Sequence, residues 1–529
     1  IAFTHHNGAF GKKYLPETMG VGPAFFDVDR DGDPDLMFAN GSDWPEKRTA
    51  GATATGAHKT GTGPRLYLND GHGSFTDVTA AYGLQLDTYG MGIAAADYDN
   101  DGWVDLLLTA VGQNRLLRNT GKGTFVDVTT KAGLGGREAF STSALWVDID
   151  KDGYLDLLVC NYVKWTPQTD IHCSADGRQK SYCTPEAYRG STSWLFRNRG
   201  NGTFEDITAT SGLFDVTSKS LGATILDYDQ DGWPDLFIAN DTQPNKLYRN
   251  NRNGTFTEEG IPAGVAYSED GVARGAMGVD AADYDRSGRP HLIVGNFSNQ
   301  MLGLYHNEGK NLFVDEAPRS SIGRASLLSL AFGVFFFDYD LDGALDILAA
   351  NGHIEEEIEQ VQPKVKFRQP PLLFRNAGQR KFENASTAVG AQFSRPILAR
   401  GAAYGDYDRD GDLDVLFTEN SGSAWLYRND GGNANHFISI RTRGVKSNRD
   451  GIGAVVRVTS AVGTQWSMVR SGSSYCSQSD LALTFGLGKD TQVSTIEIEW
   501  PSGQKDRLNN IPSNQHIVVE EGKGIVTAK

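Results

Sequence analysis

Aspartates spaced two apart, closing on a glycine, recur along this chain in the pattern D-x-D-x-D-G-x-x-D. Carboxylates at positions 1, 3 and 5 of so tight a loop converge on one point. Position 7 offers its backbone carbonyl and the Asp at position 9 completes an all-oxygen shell. Gly at position 6 allows a turn that a Cβ would resist. Such a donor set suits a hard cation of calcium size better than zinc or copper.

The first loop supplies Asp27, Asp29, Asp31, Asp33 and Asp35; the second supplies Asp97, Asp99, Asp101, Trp103 and Asp105. The third supplies Asp148, Asp150, Asp152, Tyr154 and Asp156, and the fourth Asp227, Asp229, Asp231, Trp233 and Asp235. Two more hold Asp338, Asp340, Asp342, Ala344 and Asp346, then Asp406, Asp408, Asp410, Asp412 and Asp414. Trp103, Tyr154, Trp233 and Ala344 would act through their carbonyls. An EF-hand would need an acid at position 12, where Phe38, Leu108, Val159, Ile238, Ala349 and Phe417 stand. A single loop of this kind could be a solvated acidic turn; six near-perfect copies favour about six structural Ca2+ ions. The copy DYDRSGRPH has Ser287 and His291 in place of Asp and is expected to be empty or weak.

The loops also account for the charge. The 529 residues carry a formal net charge of −16, and 28 of the 66 acidic residues lie in the seven loops. Six bound divalent cations would leave a net charge of about −4, so the fold should depend on calcium. The acidity excludes nucleic acid as a default partner. No apolar run approaches the roughly 18 residues of a membrane span. Starting at Ile1 with neither an initiator Met nor a signal peptide, the chain reads as a mature or trimmed product.

A second motif confirms the repeat. One segment ending in Asn follows each Asp loop: Asn69, Asn119, Asn198, Asn250, Asn307, Asn376 and Asn429. Each repeat then reads as four strands: a small, apolar run into the loop, a second run out of it, the Asn segment, and a short strand after a glycine turn. Loop starts 51 to 79 residues apart fit the blades of a closed ring. The prediction is an all-β chain with a seven-bladed β-propeller over 1–432 and a small β-sandwich-like domain over 433–529. The last repeat lacks a fourth strand, which Ile1–Thr4 is predicted to supply.

In a four-stranded meander, alternate turns point to opposite faces. The Asp loops and glycine turns share one; the connections after the second and fourth strands share the other. The insertions Ser42–Arg65, Tyr162–Ser193 and Gly352–Pro371 all fall on the second face, where binding or catalysis is expected. Candidate acid–base groups there are Glu17, His353, Asp241, Arg274 and Arg400. The competing reading makes the strand-end residues Asn40, Asn161, Asn240 and Asn351 turn formers, and pairs Arg274 and Arg400 with neighbouring acids. Lys59-Thr60 lacks the glycine spacing of a phosphate loop. Cys173 and Cys183 could close a loop as a disulfide; Cys160 reads as a buried thiol, and nothing argues for its pairing with Cys476.

The Asp repeats resemble FG-GAP/VCBS repeats, which form integrin α-subunit propellers. The tail, with SNRDGIGAVVRV (447–458), SGSSYCSQSDLALTFGLG (471–488) and IEWPSG (498–503), resembles the ASPIC/UnbV domain of the cartilage acidic protein family and its bacterial relatives. PETMGVG (16–22), AANGHI (349–354) and ARGAAYGDYDRDGDLD (399–414) fit the same pattern. The resemblance implies an exported calcium-binding propeller, secreted, periplasmic or on the cell surface. Two functions follow as expectations. One is a monomeric protein that binds a protein, glycan or small-molecule ligand on its loop-rich face. The other is a calcium-dependent lyase, dehydratase, or alkylating cyclase with an acid–base site at the mouth of the ring, as in some proteins of similar architecture.

Overall fold

The computed structural model describes residues 1–49, 61–174 and 177–527; Lys59 and Thr60, with the rest of 50–60, lie outside them. Among the described residues each repeat forms an antiparallel meander, of three strands in the seventh repeat and four in the others, and the second and third are joined into one eight-stranded sheet where Val111 and Gly112 pair with Phe140 and Ala139. Their first strands are Pro23–Phe26, Tyr89–Ala96, Ala139–Val147, Ser220–Leu226, Ala276–Ala282, Ala331–Phe337 and Ala399–Gly405. These strands are rich in Gly, Ala and Phe and almost wholly buried. Each packs against the next, and the seventh packs against the first, so the sheets ring a central channel.

The Asn motif has a physical reason. In each repeat the Asn side chain donates to the carbonyl of position 2 in the preceding Asp loop. Asn119 reaches Val28 O at 3.1 Å, Asn198 Tyr98 O at 2.9 Å and Asn250 Ile149 O at 2.8 Å. Asn307, Asn376 and Asn429 reach Tyr228, Tyr284 and Tyr339 in the same way. Asn69 closes the circle on Tyr407 O at 2.7 Å. The N-terminal segment joins the seventh sheet at the expected edge, through a single bridge between Thr4 and Ser423.

The C-terminal region forms two four-stranded sheets, one holding His436–Arg443, Leu483–Gly488, Gln515–Glu520 and Gly524–Val526, the other Val455–Ser460, Gly463–Met468, Gln492–Glu499 and Lys505–Pro512. Ile438, Ile440, Val456, Val458, Ile496 and Val519 pack together between them. This region sits on the Asp-loop face: Asp97 N donates to Asp450 (2.7 Å), Arg449 N to Asn100 (2.8 Å) and Trp466 Nε1 to Asp283 (2.6 Å).

From there residues 470–480 enter the channel as a hairpin. The inner edges of the first strands carry backbone groups that need partners, and the hairpin supplies them in every repeat but the fourth. Ser474 and Val279 exchange backbone hydrogen bonds (2.8 and 3.1 Å), as do Gln478 with Pro23 and Phe25 (3.1 and 3.0 Å). Ile93 N donates to Cys476 O (3.2 Å), and Cys476 N to Ser143 Oγ (2.9 Å). Trp146 N donates to Ser471 Oγ (2.7 Å), and the Gln478 amide bonds both backbone groups of Ala95.

Backbone approaches this close because the position five residues before each loop is Gly22, Gly92, Gly222, Gly278, Gly333 or Gly401, with Ser143 in the third repeat. A Cβ would stand 3.0 Å from Cys476 O at Gly92 and 3.0 Å from Ser474 C at Gly278; at Gly22 it would overlap the Cys476 carbonyl outright.

Candidate metal loops and the open face

All seven Asp loops share one backbone. Position 4 is left-handed throughout, from φ 52° at Leu341 to 67° at Arg30, and the Gly at position 6 lies between 81° and 103°. Asp at position 1 accepts the glycine N–H, as in Asp97 from Gly102 at 2.6 Å, and Asp at 5 accepts the N–H of position 7, as in Asp101 from Trp103 at 3.0 Å. Asp at position 9 opens the second strand and accepts from the Asn of the third strand, as in Asp105 from Asn119 at 2.7 Å. Sequence alone therefore sets a loop whose amides fold the carboxylates inward.

Carboxylate oxygens of positions 1, 3 and 9 lie within 4.8 Å of one another in the loops of Asp27, Asp97 and Asp148. Burial pushes Asp27 and Asp227 up to about 6, Asp148 to about 7, Asp97 and Asp406 to about 8, and Asp105 and Asp414 to about 9. Buried oxygens of Asp105, Asp150, Asp340, Asp406 and Asp408 have no hydrogen-bond partner. Like charges gathered under cover with lone pairs unmatched fit a divalent cation, which would reverse those shifts. The carboxylates named from sequence, with the carbonyls of Trp103, Tyr154, Trp233 and Ala344, are the groups that could hold it.

The other face carries the insertions. Asn40, Asn161, Asn240 and Asn351 tie its loops down, donating to Gly61, Thr192, Pro244 and Pro370 carbonyls at 2.8 to 3.1 Å. Cys173 and Cys183 are joined as a disulfide in the third insertion, and Cys160 and Cys476 are buried thiols. Tyr14, Trp44, Tyr89, Phe140, Tyr162, Trp165, Phe332 and Tyr475 form one aromatic cluster around the hairpin tip. Sequence reasoning missed Tyr475 at the floor of the mouth; its signal was a polar, small-residue run flanked by strands, which fits inside a narrow channel.

The five candidate acid–base residues divide. Glu17 is buried, with Oε1 unpartnered and Oε2 accepting from Tyr182 at 3.3 Å; burial raises it to about 7. His353 is buried with Nε2 unpartnered, and burial and Arg400 lower it to about 4. Arg400 is fully buried on the ring of Phe332 and donates to the carbonyls of Thr18, Gly352, Ala399 and His353. Asp241 instead accepts from Tyr162 OH at 2.5 Å, and burial raises it to about 7. Arg274 neighbours Asp241 through its backbone, but its guanidinium pairs with Asp315 at 2.8 Å. Arg400 thus ties the backbone of Thr18, next to Glu17, to the backbone of His353, while the guanidinium of Arg274 is engaged elsewhere.

On this face a groove of about 740 Å³ runs between the first and third insertions. Trp44, Tyr89, Trp165 and Trp194 line it together with Asp43, Gln113, Arg115, Glu138 and Lys164.

Comparison with known proteins agrees with the repeat pattern. A family model described as FG-GAP-like repeat matches residues 54–108, 97–159, 174–237 and 227–294, and one described as ASPIC and UnbV matches 444–526. Human cartilage acidic protein 1 is 24% identical over 532 residues, covering 96% of this chain and 72% of that protein. The mouse protein of that name is 24% identical over 517 residues, covering 92% and 71%. Among solved structures, an Agrocybe aegerita lectin described as recognising non-reducing terminal N-acetylglucosamine aligns with TM-score 0.40 and 15% identity, over 78% of this chain and 86% of that one. The BBS1N chain from its complex with ARL6DN aligns with TM-score 0.40 and 10% identity, over 81% and 99%. The chain is an FG-GAP-repeat β-propeller protein with a C-terminal ASPIC/UnbV domain, homologous to cartilage acidic protein 1.

Proposed function

We propose that this protein is an exported calcium-binding propeller that holds a ligand on its insertion face. One observation carries the reading. The C-terminal region sits on the Asp-loop face and its hairpin enters the channel, while the groove beside Trp44 and Trp165 lies open on the insertion face. Six of the Asp loops hold Ca2+, which here supplies charge neutralisation and rigidity rather than chemistry. The Cys173–Cys183 disulfide favours an oxidising compartment. The propeller over 1–432 and the domain over 433–529 act as one body, because the hairpin bonds the first strands directly.

The groove mixes aromatic edges with amide, carboxylate and ammonium groups, a lining suited to a polar ligand such as a glycan or a protein loop. The test is thermal melting in saturating calcium against glycans, small metabolites and candidate proteins, repeated with Gln113→Ala and Lys164→Glu. A ligand whose affinity drops at least tenfold in these variants supports the site. A ligand bound equally well by both variants overturns it.

A second reading is favoured by Glu17, whose carboxyl burial raises to about 7, so that it stays partly protonated near neutral pH, with one oxygen unbonded. Such a group can donate a proton, and His353, held neutral, can accept one. Turnover that is lost in Glu17→Gln with unchanged melting would move the assignment from binding to catalysis.

A further inference from the structure

The fifth loop departs from the other six at position 9, and the departure is matched by a second one in the same repeat. His291 stands where the others have Asp, and His306 stands before the recurring Asn, where repeats 2, 3, 4, 6 and 7 have Arg118, Arg197, Arg249, Arg375 and Arg428. The backbone is nevertheless unchanged: Arg286 keeps φ 59° and Gly288 81°. Something must hold Asp283 and Asp285 together in place of an ion.

We infer that in the fifth repeat His291 and His306 replace the cation, their ring N–H groups bracing Asp285 from two sides to make a built-in, metal-independent loop. His291 Nε2 lies 2.8 Å from Asp285 Oδ1, and His306 Nε2 lies 2.8 Å from Asp285 Oδ2. Both rings are buried and stacked, 4.4 Å apart at 17°.

The tautomer of His291 follows from its other nitrogen. Nδ1 accepts the Asn307 N–H at 2.9 Å, the same bond that Asp oxygen takes in the other repeats, so the neutral ring must carry its proton on Nε2. That nitrogen therefore faces the loop centre as a donor, not as a lone pair, and is unsuited to ligate zinc or any other metal.

The remaining oxygens are also matched. Asp283 Oδ1 accepts from Ser287 N at 3.0 Å, and Oδ2 accepts from Gly288 N at 2.8 Å and Trp466 Nε1 at 2.6 Å. His306 Nδ1 lies 2.8 Å from Glu308 Oε1, so each of its ring nitrogens faces a carboxylate. Burial works against the charge on Asp285, yet the two histidine bonds outweigh it and hold this carboxyl well below the usual range, while Asp99, Asp229 and Asp408 at the same position are pushed up.

The inference rests on the reading that the other loops bind calcium, and the test separates the two. Native mass spectrometry at saturating calcium counts ions on the wild-type chain and on Ser287→Asp/His291→Asp, with His306→Arg added in a third sample. The expected result is one further calcium on the restored loop. An equal count, or a wild-type chain that already carries a seventh ion, overturns the inference. A wild-type chain with no calcium defeats the reading of the other loops and leaves this one to a second measurement. That measurement is the 15N resonances of His291 in the wild-type protein. They should report a proton on Nε2 and stay unmoved by calcium or zinc; a proton on Nδ1, or a shift with either metal, overturns the brace.

Discussion

Alanine at Gly22 tests the channel hairpin most directly. Gly22 has no left-handed backbone to strain, so the substitution acts only through the Cβ, which would overlap the Cys476 carbonyl. Either the first strand or the hairpin must retreat. Retreat of the hairpin breaks the bonds from Ile93 N to Cys476 O (3.2 Å) and from Cys476 N to Ser143 Oγ (2.9 Å). At about 1 kcal/mol each, with overpacking of about 1–3 kcal/mol, the cost is about 3–5 kcal/mol. An unfolding entropy of about 2.1 cal/mol/K per residue over 529 residues makes that a fall of about 3–5 °C in Tm. Gly431→Ala is the control, since its φ of −136° suits alanine and nothing lies within 4 Å of the new atom. The assay is calorimetric melting in saturating calcium, with amide exchange followed on a peptide covering 470–480. A Gly22→Ala protein that melts within about 1 °C of wild type and keeps slow exchange in that peptide would refute the claim that the hairpin is seated against this strand.

Calcium removal should lower stability steeply: each site held at a hundredfold excess over its Kd contributes about 2.7 kcal/mol, so EDTA should drop Tm by many degrees and Asp105→Asn by a few. Asn198→Ala removes donors to Tyr98 O and Leu155 O and the acceptor for Gly200 N, and should cost about 2–4 kcal/mol by chemical denaturation. Glu17 has a sign that can be worked out. Its folded pKa of about 7 lies above an ordinary carboxyl's, so its contribution is full below about pH 4.5 and is lost as pH rises towards 7. Glu17→Gln should therefore gain on wild type between pH 5 and pH 8, by up to about 3 kcal/mol, read as the difference in melting curves at the two pH values. Cys173→Ser should leave global melting nearly unchanged and raise proteolytic cutting within 166–188, because the disulfide closes a local loop.

Most of the architecture was legible because it repeats. Period, strand order and loop chemistry were written several times over, and Asp27–Asp35 or Asp97–Asp105 alone states the donor set. The Asn positions counted the repeats but did not disclose their role, since a bond to the carbonyl of the preceding loop exists only once the ring forms. The glycines five residues before six of the loops were equally visible, yet their meaning depends on Ser471–Ser479, some forty residues beyond the last repeat. Position 9 of the fifth loop read as a lost ligand; its compensation by His306 is a contact between strands that spacing does not announce. Arg400 and the Thr18 carbonyl meet across 382 residues of sequence, a contact that an argument from local motifs can place on one face but cannot state.

The seven Asn side chains have a consequence for how the molecule comes apart. A linear array of repeats frays from its ends, and its terminal members need polar caps. Here Asn69 hands its bond to the seventh loop as Asn119 does to the first, so no repeat is terminal. Breaking one link does not shorten an array; it turns a circle into a line and exposes two sheet faces at once. Unfolding should therefore begin with an expensive opening and then run to completion, giving a molecule that resists gradual erosion by proteases and fails, when it fails, as a whole.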